Sequence, residues 1–236
     1  MAQALQKHGS GGPQLDVHDV HVGPLRLPGT LRIPQGAKSL VIFAHGSGSS
    51  RLSPRNVAVA ESLNRRGIAT LLFDLLKPGE EAANNRAKVF DIPLLAERLI
   101  DAVRWVDRAT GLKDVPIGLF GASTGAAAAL VAAEVLGPRV GAVVSRGGRP
   151  DLAGAALHGV HAPTLLVVGG ADYGVIELNH EAYAKLVGPK ELSIVPRATH
   201  LFEEPGTLER VMELAGDWFE KRLATEPSTR NPQGGR

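Results

Sequence analysis

Ser123 stands in Leu119-Phe120-Gly121-Ala122-Ser123-Thr124-Gly125, an apolar run that enters Gly-x-Ser-x-Gly and continues into the small-residue stretch Ala126-Ala127-Ala128-Ala129-Leu130. That order describes a strand, a sharp turn and a helix, with the serine hydroxyl held out at the apex. A Cβ at Gly121 or Gly125 would intrude where the helix passes close to the neighbouring strands. Serine is a poor nucleophile at neutral pH, so chemistry there requires a histidine to take its proton and a carboxylate to orient that histidine. In this arrangement the acid and then the histidine follow the serine along the chain. Asp172, after Val167-Val168-Gly169-Gly170, and His200, in Arg197-Ala198-Thr199-His200-Leu201-Phe202, satisfy that order. Glu177 is the reserve acid. A tetrahedral intermediate also needs two backbone donors for its oxyanion, and the N–H groups of Thr124 and of Ser47, in His45-Gly46-Ser47-Gly48, are the candidates.

Other side chains divide into weaker candidates and structural ones. Arg51, Arg146 and Arg149 follow apolar runs that read as strands, where a guanidinium can grip a substrate anion bidentately or pair with Asp74 or Asp151. Asp74 precedes Ser123 in the chain, which breaks the required order, so it reads as a hydrogen-bond acceptor for neighbouring loops. His45 reads as a brace of the oxyanion loop. His18 and His21 lie on a short alternating segment with no accompanying ligand cluster, and no metal is expected. Gly46-Ser47-Gly48 lacks the third glycine of a dinucleotide fingerprint, because Arg51 occupies that place, and the lysine of a Walker loop is absent. No cofactor is expected.

The elements that must position these groups alternate. Residues 40–44, 68–73, 116–120, 140–144, 164–168 and 191–195 are apolar runs of strand length, separated by helical stripes such as Leu95, Leu99, Ala102, Val103 and Val106, and Leu208, Val211, Met212, Ala215 and Phe219. Uninterrupted apolar strands are those covered on both faces, so the pattern predicts an α/β fold: a doubly wound, mostly parallel sheet with helices on both faces. Residues 17–22 and their neighbours alternate instead, which predicts an antiparallel pair at the start. Residues 15–224 are expected to form a single domain, flanked by a flexible N-terminal segment (1–14) and a flexible C-terminal tail (225–236). Too little chain lies between Val144 and Thr164 for a large cap, which leaves residues 77–86 as the expected rim of an open pocket.

Taken together, the Gly-Ala-Ser-Thr-Gly elbow, the His-Gly-Ser-Gly loop, Gly-Gly-Ala-Asp and Ala-Thr-His-Leu-Phe resemble the α/β-hydrolase superfamily, most closely its dienelactone-hydrolase-like branch, over residues 40–223. The resemblance implies a nucleophile at Ser123, an acid at Asp172, a base at His200 and oxyanion amides at Ser47 and Thr124. Dienelactone hydrolases proper carry cysteine at the elbow. Serine in its place favours a general hydrolase of small carboxylic esters or thioesters, with acyl transfer or a non-catalytic binding scaffold as alternatives.

Composition narrows the remaining classes. There is no cysteine among the 236 residues, which excludes disulfides, thiolate metal sites and cysteine nucleophiles. The formal charge of +2 arises from 26 basic and 24 acidic residues without a long like-charged run, so no nucleic-acid partner is expected. No apolar run reaches membrane-span length and no secretory leader is visible, so the expectation is a cytoplasmic protein with a small-molecule substrate and no membrane partner.

Overall fold

A computed structural model of the chain describes residues 14–80, 87–109 and 111–224. The two expected flexible ends, apart from Gln14, and residues 81–86 of the expected rim lie outside the described residues.

Among the described residues eight strands form one sheet: β1 (Leu15–Val22), β2 (Leu27–Pro34), β3 (Leu40–Ala44), β4 (Ala69–Phe73), β5 (Ile117–Ala122), β6 (Val140–Arg146), β7 (Thr164–Gly169) and β8 (Lys190–Val195). Their spatial order is β1-β2-β4-β3-β5-β6-β7-β8. From β4 to β8 every neighbouring pair is parallel, and the β1/β2 and β2/β4 pairs are antiparallel. The expected antiparallel pair is therefore a hairpin that extends the main sheet along β4 rather than a separate layer.

Among the described residues five α-helices cover the sheet: α1 (Pro54–Arg65), α2 (Ile92–Ala109), α3 (Thr124–Leu136), α4 (Tyr173–Lys185) and α5 (Thr207–Arg222). The two-residue period of β3 shows how. Leu40, Ile42 and Ala44 join a cluster with Leu95, Leu99 and Val103 of α2 and Ala127 to Leu130 of α3. Val41 and Phe43 point the other way, into a cluster with Val59 and Leu63 of α1 and Val211, Ala215 and Phe219 of α5. All five residues of β3 are buried because each face is roofed by a helical layer, the reason the strand reads as a continuous apolar run.

The chain leaves β3 through α1 to reach β4 on one side, then crosses back to β5 on the other. Connections that diverge from adjacent parallel strands leave a crevice at the strands' carboxyl ends, the usual place for a ligand in an open α/β sheet. Here the crevice lies between the ends of β3 and β5, where residues 45–53 and Ser123 emerge.

Candidate active site

Ser123 takes φ 51° and ψ −122°, a conformation that residues with a side chain rarely adopt and that costs on the order of 1–3 kcal/mol. Its surroundings leave no alternative. A Cβ at Gly121 would run into the backbone of Gly125 and Ala126, and one at Gly125 into the carbonyls of Ala44 and His45. Bare backbone at these two positions lets α3 start directly against the end of β3. The turn is tied to the next strand: Ser123 N–H donates to Arg146 O (3.3 Å), and Ser123 O accepts from the N–H groups of Ala126 (3.1 Å) and Arg149 (3.0 Å).

Asp172 and His200 reach the same edge of the sheet from the ends of β7 and β8. Asp172 occupies the N-cap position of α4, where an aspartate ordinarily turns its carboxylate onto the first amides of the helix, yet it makes no such bond. Its Oδ2 instead lies 2.7 Å from His200 Nδ1. With the carboxylate ionised, Nδ1–H is the donor, which leaves Nε2 as the basic nitrogen. Ala171 N–H donates to Ala198 O (2.9 Å) and so stitches the two loops together. Beyond His200, Thr199 is clasped by Glu204 through its hydroxyl (2.6 Å) and its amide (3.1 Å), while Phe202, buried at φ 56°, pins the turn to the core. Glu177 lies on α4 and makes no hydrogen bond to His200.

Ser123 and His200 line one cavity of about 610 Å3, together with most of residues 46–56, Arg146 and Leu201. No hydrogen bond joins Ser123 Oγ to His200; such pairs are commonly loose in unliganded sites and tighten around substrate. The expected rim is corrected in part: residues 77–80 fold into a turn in which Lys77 N–H donates to Glu80 (2.8 Å), and none of them lines this cavity. Among the described residues its rim is the segment after β3.

The two residues expected to stabilise an oxyanion touch one another. Ser47 N–H donates to Thr124 Oγ1 at 3.0 Å, so a hydroxyl occupies that amide in this structure. Thr124 N–H, at the first position of α3, is one of the amides that a helix leaves without an intrahelical acceptor. His45 braces the loop beneath. Its Nε2 accepts from Leu75 N–H (3.0 Å) while Nδ1–H donates to Gly46 O (3.0 Å), a pattern that only the neutral Nδ1–H tautomer satisfies.

The three arginines separate. Arg51 gives both its amide (2.8 Å) and its guanidinium (2.5 Å) to Asp74, and Arg149 forks onto Asp151 (2.9 and 2.8 Å). Neither lines the cavity, and each makes the internal pairing that the sequence offered as the alternative to gripping an anion. Arg146 is different: it lines the cavity at 5% exposure and has no carboxylate within ion-pairing distance among the described residues. Burial, with a smaller contribution from the charge of Arg55, pushes its pKa down from 12.5 to about 10. Among the described residues no group of three or more histidine or carboxylate side chains is arranged to hold a metal ion, and no helix is long and apolar enough to cross a membrane.

A dienelactone hydrolase from Anabaena variabilis is similar in both sequence and structure, with 53% identity and a TM-score of 0.84 over 90% of this chain and 99% of that one. The chain belongs to the dienelactone hydrolase family. Est1E from Butyrivibrio proteoclasticus shares the α/β-hydrolase fold at 18% identity, with a TM-score of 0.72 over 89% of this chain and 99% of that one. Two Mycobacterium tuberculosis proteins named "Putative phosphoribosyl transferase" are 56% identical over 220 residues, which is 92% of this chain. The chain spans about half, 49%, of the length of these curated relatives. No family model matches the sequence. Among the described residues the sheet is open and no large cap covers it.

Sequence reasoning missed Arg55 and Asn56 as site residues. The signal was present: Ser53-Pro54 marks a helix start just after the loop that follows β3, so the first helical turn had to face the same crevice. Glu204 and Leu201 had no comparable signal.

Proposed function

We propose that the chain is a serine hydrolase of small carboxylic esters, acting through an acyl-enzyme on Ser123. The observation that carries this reading is the 2.7 Å contact between His200 and an Asp172 carboxylate withheld from helix capping, at a cavity that Ser123 shares. In the proposed sequence His200 Nε2 removes the Ser123 proton as Oγ attacks the ester carbonyl. Thr124 N–H receives the developing oxyanion, joined by Ser47 N–H once Thr124 Oγ1 turns away. His200 returns the proton to the departing alcohol, then activates a water that releases the acid and restores Ser123. Asp172 stays ionised and stabilises the imidazolium throughout.

Family membership supports hydrolysis, and the uncapped cavity suits short or exposed acyl groups. For the longer mycobacterial relatives, the matched half is the part that corresponds to this hydrolase unit; the phosphoribosyl transferase name belongs to those whole proteins. The test is labelling with a fluorophosphonate followed by peptide mapping, together with p-nitrophenyl acetate turnover. Labelling at Ser123 and a burst of nitrophenol are expected. An unlabelled Ser123, with turnover unchanged in Ser123→Ala, overturns the assignment; neither labelling nor turnover in wild type leaves a non-catalytic scaffold.

A further inference from the structure

Arg146 ends β6 with its Cα paired to Ala122, so it sits one strand over from the elbow, and its backbone carbonyl accepts the Ser123 amide. Its side chain is almost fully buried, yet among the described residues its only side-chain hydrogen bond is from Nη2 to Asn56 Oδ1 (3.1 Å), and Nε finds no partner among them. The guanidinium also lies over the Phe202 ring, 5.9 Å from its centroid. A buried cation without a counter-ion is costly, and a fold that needs only a strut between β6 and α1 has neutral residues for that purpose.

Beside Arg146, and lining the same cavity, is the N-terminus of α1. Its N-cap Ser53 makes no side-chain capping bond, and its first turn contains no acidic residue. Pro54 has no N–H, so the amides of Arg55 and Asn56 are the ones presented without an intrahelical acceptor. Arg55 adds a second guanidinium at the cavity, whose Nη1 pairs with Glu203 (3.1 Å), an outlying carboxylate with 63% side-chain exposure. Two cations and the positive end of a helix thus converge where the described residues provide one peripheral carboxylate.

We propose that this wall is a subsite for an oxyanion, a phosphate or carboxylate carried by the substrate of Ser123, held by the Arg146 guanidinium and the α1 amides of Arg55 and Asn56, with the Arg55 side chain at the mouth. As a statement about substrate this rests on the hydrolase reading; as a statement about anion binding it stands without it. The exposed side chains of Leu52 and Leu201 at the same cavity complete an amphipathic site, apolar at the rim and cationic at depth.

Two measurements on the full chain test it. The first is direct binding of inorganic phosphate and of succinate, by calorimetry and thermal shift, to wild type, Arg146→Met and Arg55→Gln. The second is turnover of p-nitrophenyl hemisuccinate relative to p-nitrophenyl acetate in the same proteins. Wild type is expected to bind at least one oxyanion and to prefer the anionic ester, and Arg146→Met to lose about tenfold to a hundredfold in both binding and preference. Arg55→Gln, at a partly exposed position, gives a smaller loss and keeps the test readable if Arg146→Met does not fold. Binding of phosphate but not succinate identifies a phosphorylated substrate, and the reverse a carboxylate. Binding of neither, or an ester preference identical in wild type and both variants, overturns the subsite. Arg146-dependent phosphate binding in a protein that Ser123 probes never label would sink the hydrolase reading while leaving the oxyanion site in place.

Discussion

The elbow at Ser123 and the turn at His200 face the same cavity but are held by different forces. Around Ser123 the chain is positioned by volume: Thr124 to Leu130 are all buried, and two glycines admit α3 against β3 at backbone contact. Around His200 it is positioned by polar bonds from partly exposed groups: Asp172 to the imidazole, Glu204 to Thr199, and one amide link between loops, with Phe202 as the apolar anchor. Close packing responds to a methyl group and is indifferent to pH. Hydrogen bonds to carboxylates tolerate added volume but depend on protonation and on one oxygen.

Substitutions that separate the two regimes follow, in order of expected effect. Ser123→Ala removes the proposed nucleophile and should reduce kcat for p-nitrophenyl acetate by about a millionfold, with a little-changed melting temperature because alanine keeps the same Cβ and therefore the same backbone strain at the elbow. A residual rate within tenfold of wild type would move the chemistry elsewhere. Asp172→Asn keeps the shape but permits the wrong imidazole tautomer, so kcat should fall by about ten-thousandfold with stability little changed. If the loss appears in KM alone, Asp172 is not the orienting acid.

Gly125→Ala breaks the volume-controlled side. The added methyl must displace the Ala44 and His45 carbonyls, so destabilisation of about 1–3 kcal/mol is expected in denaturant titration, together with lost activity. An alanine variant with wild-type stability would mean that the elbow can relax and that the comparison is wrong. Glu204→Gln breaks the polar side most gently, with a severalfold loss of kcat and no core destabilisation.

The same carboxyl predicts a pH effect. The Thr199 hydroxyl first, and then the Thr199 amide, hold Glu204 below its ordinary pKa of 4.5. A carboxylate depressed in the folded state stabilises above its unfolded pKa and loses that contribution as pH falls through the folded value. The clasp should therefore be intact at neutral pH and open only below about 4.5, loosening the His200 turn while the elbow is unaffected. Backbone amide exchange at Thr199, faster in acid relative to the amides of α3, is the measurement; equal change in both regions would remove the distinction.

Three arginines at the same sheet edge looked equivalent in the sequence because their separation depends on where carboxylates lie. Arg149 and Asp151 are two residues apart, and their pairing was within reach of local reasoning. Arg51 meets Asp74 from 23 positions away, and Arg146, at the end of β6, meets Asn56 of α1 from 90. The cavity rim shows the same limit: a long polar stretch at residues 77–86 drew attention, whereas the wall came from a loop and helix start whose residues are individually ordinary.

By itself the sequence determined the fold class, the strand–turn–helix around Ser123 and the chain order of Ser123, Asp172 and His200, because apolar periodicity and steric exclusion act between near neighbours. The tertiary structure decided that Asp172 spends its carboxylate on His200 rather than on its own helix, that Thr124 Oγ1 occupies the Ser47 amide, and that Arg146, of the three arginines, is the one buried without a counter-charge among the described residues. Those are outcomes of competition among polar groups for partners brought together only when the sheet closes, and no local pattern encodes who wins.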